Sequence, residues 1–158
     1  MGVAVYYQLG VRRKSALIQI LDRVEAEARK LGMRTVRHSA TKLSVQPAEN
    51  CETLVFEFKK GRVDRGIIGP GCEDSMFVCS GRCETQFAGE ETHRRVVELI
   101  RLAASRCSFV HVLDDAEYYE TLDKRLALRI FNKNARVLET VVNALRKAGY
   151  KVTTGVRI

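Results

Sequence analysis

The chain contains 158 residues, of which 46% are hydrophobic and 29% charged, and this composition is typical of a globular protein. No apolar run approaches the roughly 20 residues of a membrane-spanning helix, and the N-terminus lacks the features of a secretory signal. We therefore expect a cytoplasmic protein of one domain, residues 1–158, with no membrane partner. The net charge of +8 lies at the two ends, because residues 1–50 and 117–158 contribute +5 each and the middle contributes −2.

The first third of the chain contains strand and helix patterns in turn. Residues 3–7 alternate between apolar and smaller or polar side chains, which predicts a strand with one buried face. Apolar residues at helical spacing predict an amphipathic helix over 13–31. Two further alternating runs, 43–45 and 54–58, flank a turn and predict a β-hairpin.

A segment rich in glycine and cysteine, residues 61–87, is the unusual part of the chain. A long stretch without a periodic pattern leads to a short predicted strand at 76–79. Long loops of this kind inside a compact domain are usually functional or disordered. The segment is nearly neutral, so attraction of a charged ligand is not its main property.

The last part of the chain predicts two helices with a strand between them. The first helix covers 90–107, the apolar strand 109–113, and the second helix 121–148, with Asn132 and Asn134 as positions where it would kink or divide. A final short strand is predicted at 150–153, after the helix-ending Gly149.

The order of these elements favours an α+β fold. Helices placed singly among hairpin-linked strands indicate a two-layer sandwich, with a mixed but mostly antiparallel sheet and the helices on one face, ferredoxin-like or a relative of it. The alternative is a flavodoxin-like three-layer α/β fold, which would apply if the middle strands are assigned wrongly.

The chain contains five cysteines, an odd number, and a chain of this size needs no disulfide scaffold, so we expect reduced thiols. The spacing of Cys79 and Cys83 and the positions of the histidines do not fit a zinc site, and no metal is predicted. Arg82 precedes Cys83, and a neighbouring cation lowers the pKa of a thiol, which makes Cys83 a candidate nucleophile or redox group. The alternative is that these cysteines are buried and inert.

Four carboxylates and two phenols directly follow the apolar strand at 109–113. Ligands often bind beyond the carboxyl ends of strands in α/β proteins, so Asp114 or Asp115 is a candidate general base or ion ligand. Tyr118, Tyr119 and Glu120 are candidate ligand-binding residues in the same segment. In the alternative interpretation, an aspartate caps the following helix and the tyrosine rings only pack.

A basic turn, residues 10–15, joins the first strand to the first helix. Arg12 and Arg13 lie at the N-terminus of the helix, where cations oppose the helix dipole, so they are candidate ligands of an anion. The alternative is a solvated basic turn. His93 and His111 are interpreted as hydrogen-bonded core histidines rather than catalytic groups.

Two short motifs resemble an uncharacterised family of small bacterial proteins. The stretch Cys83-Glu84-Thr85-Gln86-Phe87-Ala88 is similar to a Cys-Lys-Thr-Gln-Tyr-Ala stretch of that family. The stretch 114–120 is similar to its Asp-Glu-Gly-Gly-Tyr-Trp-Glu, although Asp115, Ala116 and Glu117 stand in the positions of Glu-Gly-Gly. The resemblance covers the second half of the chain and implies no activity. It implies that Thr85 and Gln86 belong with the 114–120 segment.

The leading hypothesis is therefore a pocket for a small polar molecule, formed by the 61–87 and 114–120 segments. Cys83, Asp114 and Asp115 would be its catalytic groups, with Thr85 and Gln86 as hydrogen-bond donors. The sequence does not identify a cofactor or decide whether the protein is an enzyme. A nucleic-acid-binding module is the rival hypothesis, motivated by basic residues at both ends of the chain. A protein-interaction subunit, such as a homo-oligomer, is the third.

Overall fold

A computed structural model describes residues 2–61 and 76–152. The elements, in chain order, are β1 (Ala4–Val11), α1 (Lys14–Lys30), β2 (Arg34–Ser39), β3 (Lys42–Gln46), β4 (Leu54–Glu57), β5 (Lys59–Gly61), β6 (Met76–Glu84), α2 (Glu90–Ala104), β7 (Phe109–Asp114), α3 (Tyr118–Thr121) and α4 (Lys124–Lys147).

The strands form two antiparallel sheets. Sheet A has the order β5-β6-β1-β7, and every neighbouring pair in it is antiparallel. Together with α1 and α2, this is the βαββαβ arrangement of the ferredoxin-like fold. Sheet B has the order β2-β3-β4 and is inserted in the chain between α1 and β5. The predicted α+β class is thereby confirmed, and the parallel sheet of the flavodoxin-like alternative is not formed by the described strands.

The core lies between sheet A, sheet B and the first two helices. Alternate residues of β1, such as Val5 and Leu9, point into it and are fully buried, together with Leu17 of α1 and Ile100 of α2. On the opposite face of sheet A, Tyr6 is 42% exposed. The period of two in β1 thus separates a buried face from a solvent-facing one.

Tyr7 connects the two sheets. Its hydroxyl donates a hydrogen bond of 2.7 Å to the carbonyl oxygen of Val55, and its ring centroid lies 5.7 Å from that of Phe56. On the β6 side the ring lies against Gly81, where an added Cβ would be 2.3 Å from the Tyr7 hydroxyl oxygen. Glycine is therefore required at position 81, since no side chain fits below the ring.

Some element boundaries differ from the predicted ones. β2 was not predicted, because its side chains are mostly exposed and lack an apolar alternation. The predicted helix over 121–148 divides at Leu122, which has φ 54°, and it continues unbroken through Asn132 and Asn134. Residues 150–152 form no strand; Thr153, the last residue of that prediction, is outside the described residues.

Candidate functional site

A buried polar network joins β6, α2 and β7. The Thr85 hydroxyl oxygen lies 2.8 Å from His93 Nδ1, and His93 Nε2 lies 3.0 Å from Asp114 Oδ1. The side chains of His93 and Asp114 are fully buried, and so is Thr85. The Nε2 atom is within 4 Å of Oδ1, although the contact does not meet the geometry of a hydrogen bond.

Asp114 is well supplied with donors. Its Oδ1 accepts from the Ala116 N–H at 2.9 Å and its Oδ2 from the Tyr119 N–H at 2.8 Å. Burial by itself would raise the pKa of Asp114, but the contact with His93 and the two backbone donors outweigh it and hold the pKa below its usual value. The carboxylate thus stays charged at neutral pH.

The network has the residue types of a hydroxyl–histidine–carboxylate triad, but it is enclosed by protein. A nucleophilic hydroxyl has to reach its substrate, whereas Thr85 is fully buried and also donates to the Val3 carbonyl oxygen at 3.2 Å. Within the described residues, the network therefore fixes the positions of three elements and does not contact solvent. The sequence predicted that Thr85 belongs with the 114–120 segment, which contains Asp114. Both residues are part of the network, and His93 connects them.

Gln86 and Asp115 lie on either side of the start of β1. Gln86 Oε1 accepts from the Val3 N–H at 3.0 Å, and Asp115 Oδ2 accepts from the Ala4 N–H at 3.1 Å. Each side chain therefore uses an oxygen to hold the backbone of β1 in place. The role of Gln86 here is that of an acceptor, whereas the sequence suggested a donor to a ligand.

Cys83 lies on the core face of β6 and is fully buried. Its sulfur is 3.9 Å from the sulfur of Cys51, and it donates to the Glu52 carbonyl oxygen at 3.3 Å. The hydrogen bond with Cys51 and burial together raise the pKa of Cys83 well above its usual range, despite the nearby Arg82. Cys83 thus makes its hydrogen bonds outside the Thr85–His93–Asp114 network and is protonated at neutral pH.

The remaining candidate ligand-binding residues lie at different places in the structure. Tyr118 is buried, Tyr119 is half-buried with the Arg101 guanidinium 5.3 Å from its ring centroid, and Glu120 is exposed. Arg12 and Arg13 are exposed and follow the last residue of β1. β1 is roughly 23 Å long at about 3.3 Å per residue, so they lie at the end of sheet A opposite to Gln86 and Asp115.

The predicted pocket is only partly within the described structure. Residues 62–75 of the 61–87 segment, including Cys72, lie outside the described residues. Three described cavities, of about 400, 310 and 390 Å³, are lined by other residues than Cys83, Gln86 or Asp115. The cavity of about 390 Å³ lies on α4, between Arg129, Lys133 and Arg136.

Helix α4 is long and projects from the core. Asp123 caps its N-terminus by accepting from the backbone N–H groups of Arg125 and Leu126, at 2.8 and 3.1 Å. Of its 24 residues only Ala127 and Phe131 are buried. Packing on the core therefore uses the first two turns, and the following turns are largely exposed to solvent.

One face of α4 is basic. The helix contains seven basic side chains and one acidic one, Glu139, and all seven cations are exposed. At 3.6 residues per turn, five of them fall within an arc of roughly 80°. We call these five residues the basic stripe: Arg125, Arg129, Lys133, Arg136 and Lys147.

The cations of the basic stripe have no ion-pair partner among residues 2–61 and 76–152. Other cations of the chain do have one: the half-buried Arg37 pairs with Asp22 and Glu25, and the exposed Arg82 pairs with Glu52 and Glu84. The stripe therefore carries a positive charge that the described part of the protein does not neutralise. The sequence indicated four of its residues as basic, but only the helix places them in one line.

The opposite face of α4 carries apolar residues. Val137, Val141 and Leu145 are 46, 49 and 38% exposed, and Leu138 and Val142 between them are half-buried. We call these five residues the apolar stripe. Their spacing of three and four residues is that of a helix packed on a partner. Exposed apolar patches of this kind are typical of interaction surfaces.

No family model matches the chain, and comparison with curated proteins and with solved structures finds no similar protein. Among the described helices, none has both the length and the hydropathy needed to cross a membrane.

Proposed function

We propose that the chain binds double-stranded nucleic acid through the basic stripe of α4. The observation that carries this proposal is the alignment of five exposed cations without ion-pair partners among the described residues. Nucleic acids present a regular row of phosphates, and neutralising these with lysine and arginine supplies most of the affinity of non-specific binding. A line of unpaired cations on a rigid helix is complementary to such a row.

The length of the stripe suits a duplex. Arg125 and Lys147 are 22 residues apart on the helix, which corresponds to roughly 33 Å at about 1.5 Å per residue. This is close to one turn of B-form DNA, about 34 Å. Cations at several points of the stripe can therefore contact phosphates along one turn of the duplex.

The composition of the stripe argues against recognition of single strands. Single-strand binders interleave cations with aromatic side chains on which bases stack. In α4 the one aromatic residue is Phe131, which is buried on the core side. Contacts through the stripe would therefore reach phosphates and not bases, and binding would depend little on sequence.

A mobility-shift experiment tests the proposal. We expect retention of generic duplex DNA and RNA of about 30 base pairs at low salt, weaker retention of single strands of the same length, and loss of both at moderate salt. Electrostatic binding has this salt dependence because bound cations release counterions from the phosphates. Absence of any retention at low salt, with the protein shown to be folded, would contradict the proposal.

A second candidate function is self-association through the apolar stripe of α4. We propose a second copy of the chain as the partner, because the stripe offers only apolar side chains and a charged partner would find no charge to pair with. Two apolar stripes complement each other, and the basic stripes then lie on the outer sides of the pair, which keeps like charges apart. Nucleic-acid binding and self-association use opposite faces of α4 and are compatible.

Replacing Val141 by aspartate tests this second function. We expect the wild-type chain to have the mass of a dimer in light scattering after size exclusion, and V141D to have the mass of a monomer, since a charge in the stripe would be buried without a partner. Asn143→Asp adds the same charge on the polar face and should leave the dimer intact. A monomeric wild-type chain at all soluble concentrations would rule out this function.

A further inference from the structure

Cys51 and Cys83 form a close pair of thiols that the proposed function does not use. Their sulfur atoms are 3.9 Å apart, the residues are 8 and 0% exposed, and each sulfur also donates to a carbonyl oxygen of the other segment. Cys51 lies in the loop between β3 and β4 of sheet B, and Cys83 in β6 of sheet A. The pair therefore lies where the two sheets meet.

Hydrogen bonds hold the two segments in register. The Glu52 N–H donates to the Glu84 carbonyl oxygen at 3.2 Å, and the Glu84 N–H donates to Glu52 Oε2 at 2.7 Å. Within the loop, the side-chain amide of Gln46 donates to the carbonyl oxygens of Ala48 and Cys51. The two sulfur atoms are thus kept close together by bonds that do not involve sulfur.

We propose that Cys51 and Cys83 are an oxidisable pair, and that peroxide converts them into an intramolecular disulfide. A disulfide has an S–S length of about 2.05 Å, so the sulfur atoms have to approach by roughly 1.9 Å. A side-chain rotation or a small shift of the exposed loop supplies this movement. The residues that bridge the two segments already keep their backbones side by side, as a disulfide requires.

The two thiols have different chemical roles. The contact between the two sulfur atoms lowers the pKa of the Cys51 thiol despite burial, whereas this contact and burial raise the pKa of Cys83. Burial also raises the pKa of Cys79 and of Cys107 to about 12, which makes them poor nucleophiles. Cys51 is also the more exposed of the pair, at 8% against 0% for Cys83, so peroxide reaches the Cys51 thiol first.

The reaction is balanced with one molecule of hydrogen peroxide. The Cys51 thiolate attacks one peroxide oxygen; an S–O bond forms, the O–O bond breaks, and hydroxide leaves and takes up the proton that Cys51 released. Cys83 sulfur then attacks Cys51 sulfur, forming the S–S bond and breaking the S–O bond. Hydroxide leaves again and is protonated by the Cys83 proton. Two thiols and one peroxide thus give one disulfide and two water molecules.

Peptide mapping of the oxidised full-length chain tests the proposal. Trypsin separates the two cysteines, since Cys51 lies in peptide 43–59 and Cys83 in peptide 83–94. After treatment with stoichiometric peroxide and alkylation, we expect these two peptides to be joined, with a mass lower by two hydrogen atoms than their sum. The number of free thiols should fall from five to three. A joined product that instead contains peptide 66–82, or no joined product, would overturn the proposal.

Three variants complete the test. Cys51→Ser and Cys83→Ala should each abolish the joined product, whereas Cys107→Ser, which removes a thiol outside the pair, should leave it unchanged. If Cys83→Ala does not fold, the map of the wild-type chain and the Cys51→Ser variant still decide the outcome. Loss of two free thiols when Cys51→Ser is treated with peroxide would also exclude the assignment, since this variant lacks the pair.

Discussion

Replacing His93 by alanine is expected to lower the free energy of unfolding by about 3–5 kcal/mol. The substitution leaves the Asp114 carboxylate buried without its histidine partner, and removes the hydrogen-bond partner of the buried Thr85 hydroxyl. The ring also packs edge-on against Phe131 of α4, with centroids 5.2 Å apart, so its loss leaves a cavity under that helix. Since a domain is stabilised by about 5–15 kcal/mol in total, this is a large share.

Urea unfolding at neutral pH measures this effect. His38→Ala is the matched control, because His38 is exposed and the one hydrogen bond of its ring within the described residues is with the Ser44 hydroxyl; its effect should stay within about 0.5 kcal/mol. An equally small effect of His93→Ala would contradict the role of the network.

The pH dependence of unfolding gives a second readout for the same variant. In the wild-type chain the pKa of Asp114 is lowered from 3.8, so the stability that it contributes is present above this pH and is lost as the pH falls through the folded-state pKa. Without His93, burial favours the protonated acid. We therefore expect the deficit of His93→Ala to shrink as the pH is lowered through about 4.

Reversing three charges of the basic stripe is expected to weaken duplex binding by at least about 100-fold at low salt. The triple variant Arg129→Glu, Lys133→Glu, Arg136→Glu replaces three attractive contacts with repulsive ones. Its stability should change little, because all three positions are exposed and glutamate is a good helix former. Circular dichroism measures the stability of the variant, and fluorescence anisotropy with a labelled duplex measures its affinity.

A matched control separates the position of the charges from their number. The triple variant Arg23→Glu, Arg34→Glu, Lys60→Glu also reverses three exposed cations. It lowers the net charge from +8 to +2, as the first triple variant does. We expect it to retain most of the affinity. Equal losses in both triple variants would mean that overall charge, and not the stripe, attracts the nucleic acid.

Much of the fold follows from local patterns in the sequence. The apolar positions of α1 and α2 recur with the helical period because each helix buries one face in the core. Strand β2 could not be predicted in this way, because it is an edge strand of sheet B whose side chains face solvent. The position of β2 in the sheet is determined by backbone hydrogen bonds with β3, and such pairing requires no apolar pattern in the sequence.

The candidate sites were predictable only in part. The sequence indicated Thr85 and Asp114 separately, but their connection through His93 depends on the register that brings the ends of β6 and β7 to the same end of β1. The apolar pattern of α4 predicts a helix, but it does not show whether the surface that packs against the helix belongs to the same chain or to another one. Cys51 and Cys83 are brought together by the contact between the two sheets, and the spacing of cysteines in the sequence does not predict such a contact.

The salt dependence of duplex binding tests the central proposal most directly. If all five cations of the basic stripe neutralise a phosphate, the association constant should fall by roughly 500-fold between 50 and 200 mM salt, as a slope of about −0.9 per contact implies. Arg136→Gln should reduce the magnitude of the slope by about one. An affinity that does not depend on salt, or a slope that Arg136→Gln leaves unchanged, would contradict binding through α4.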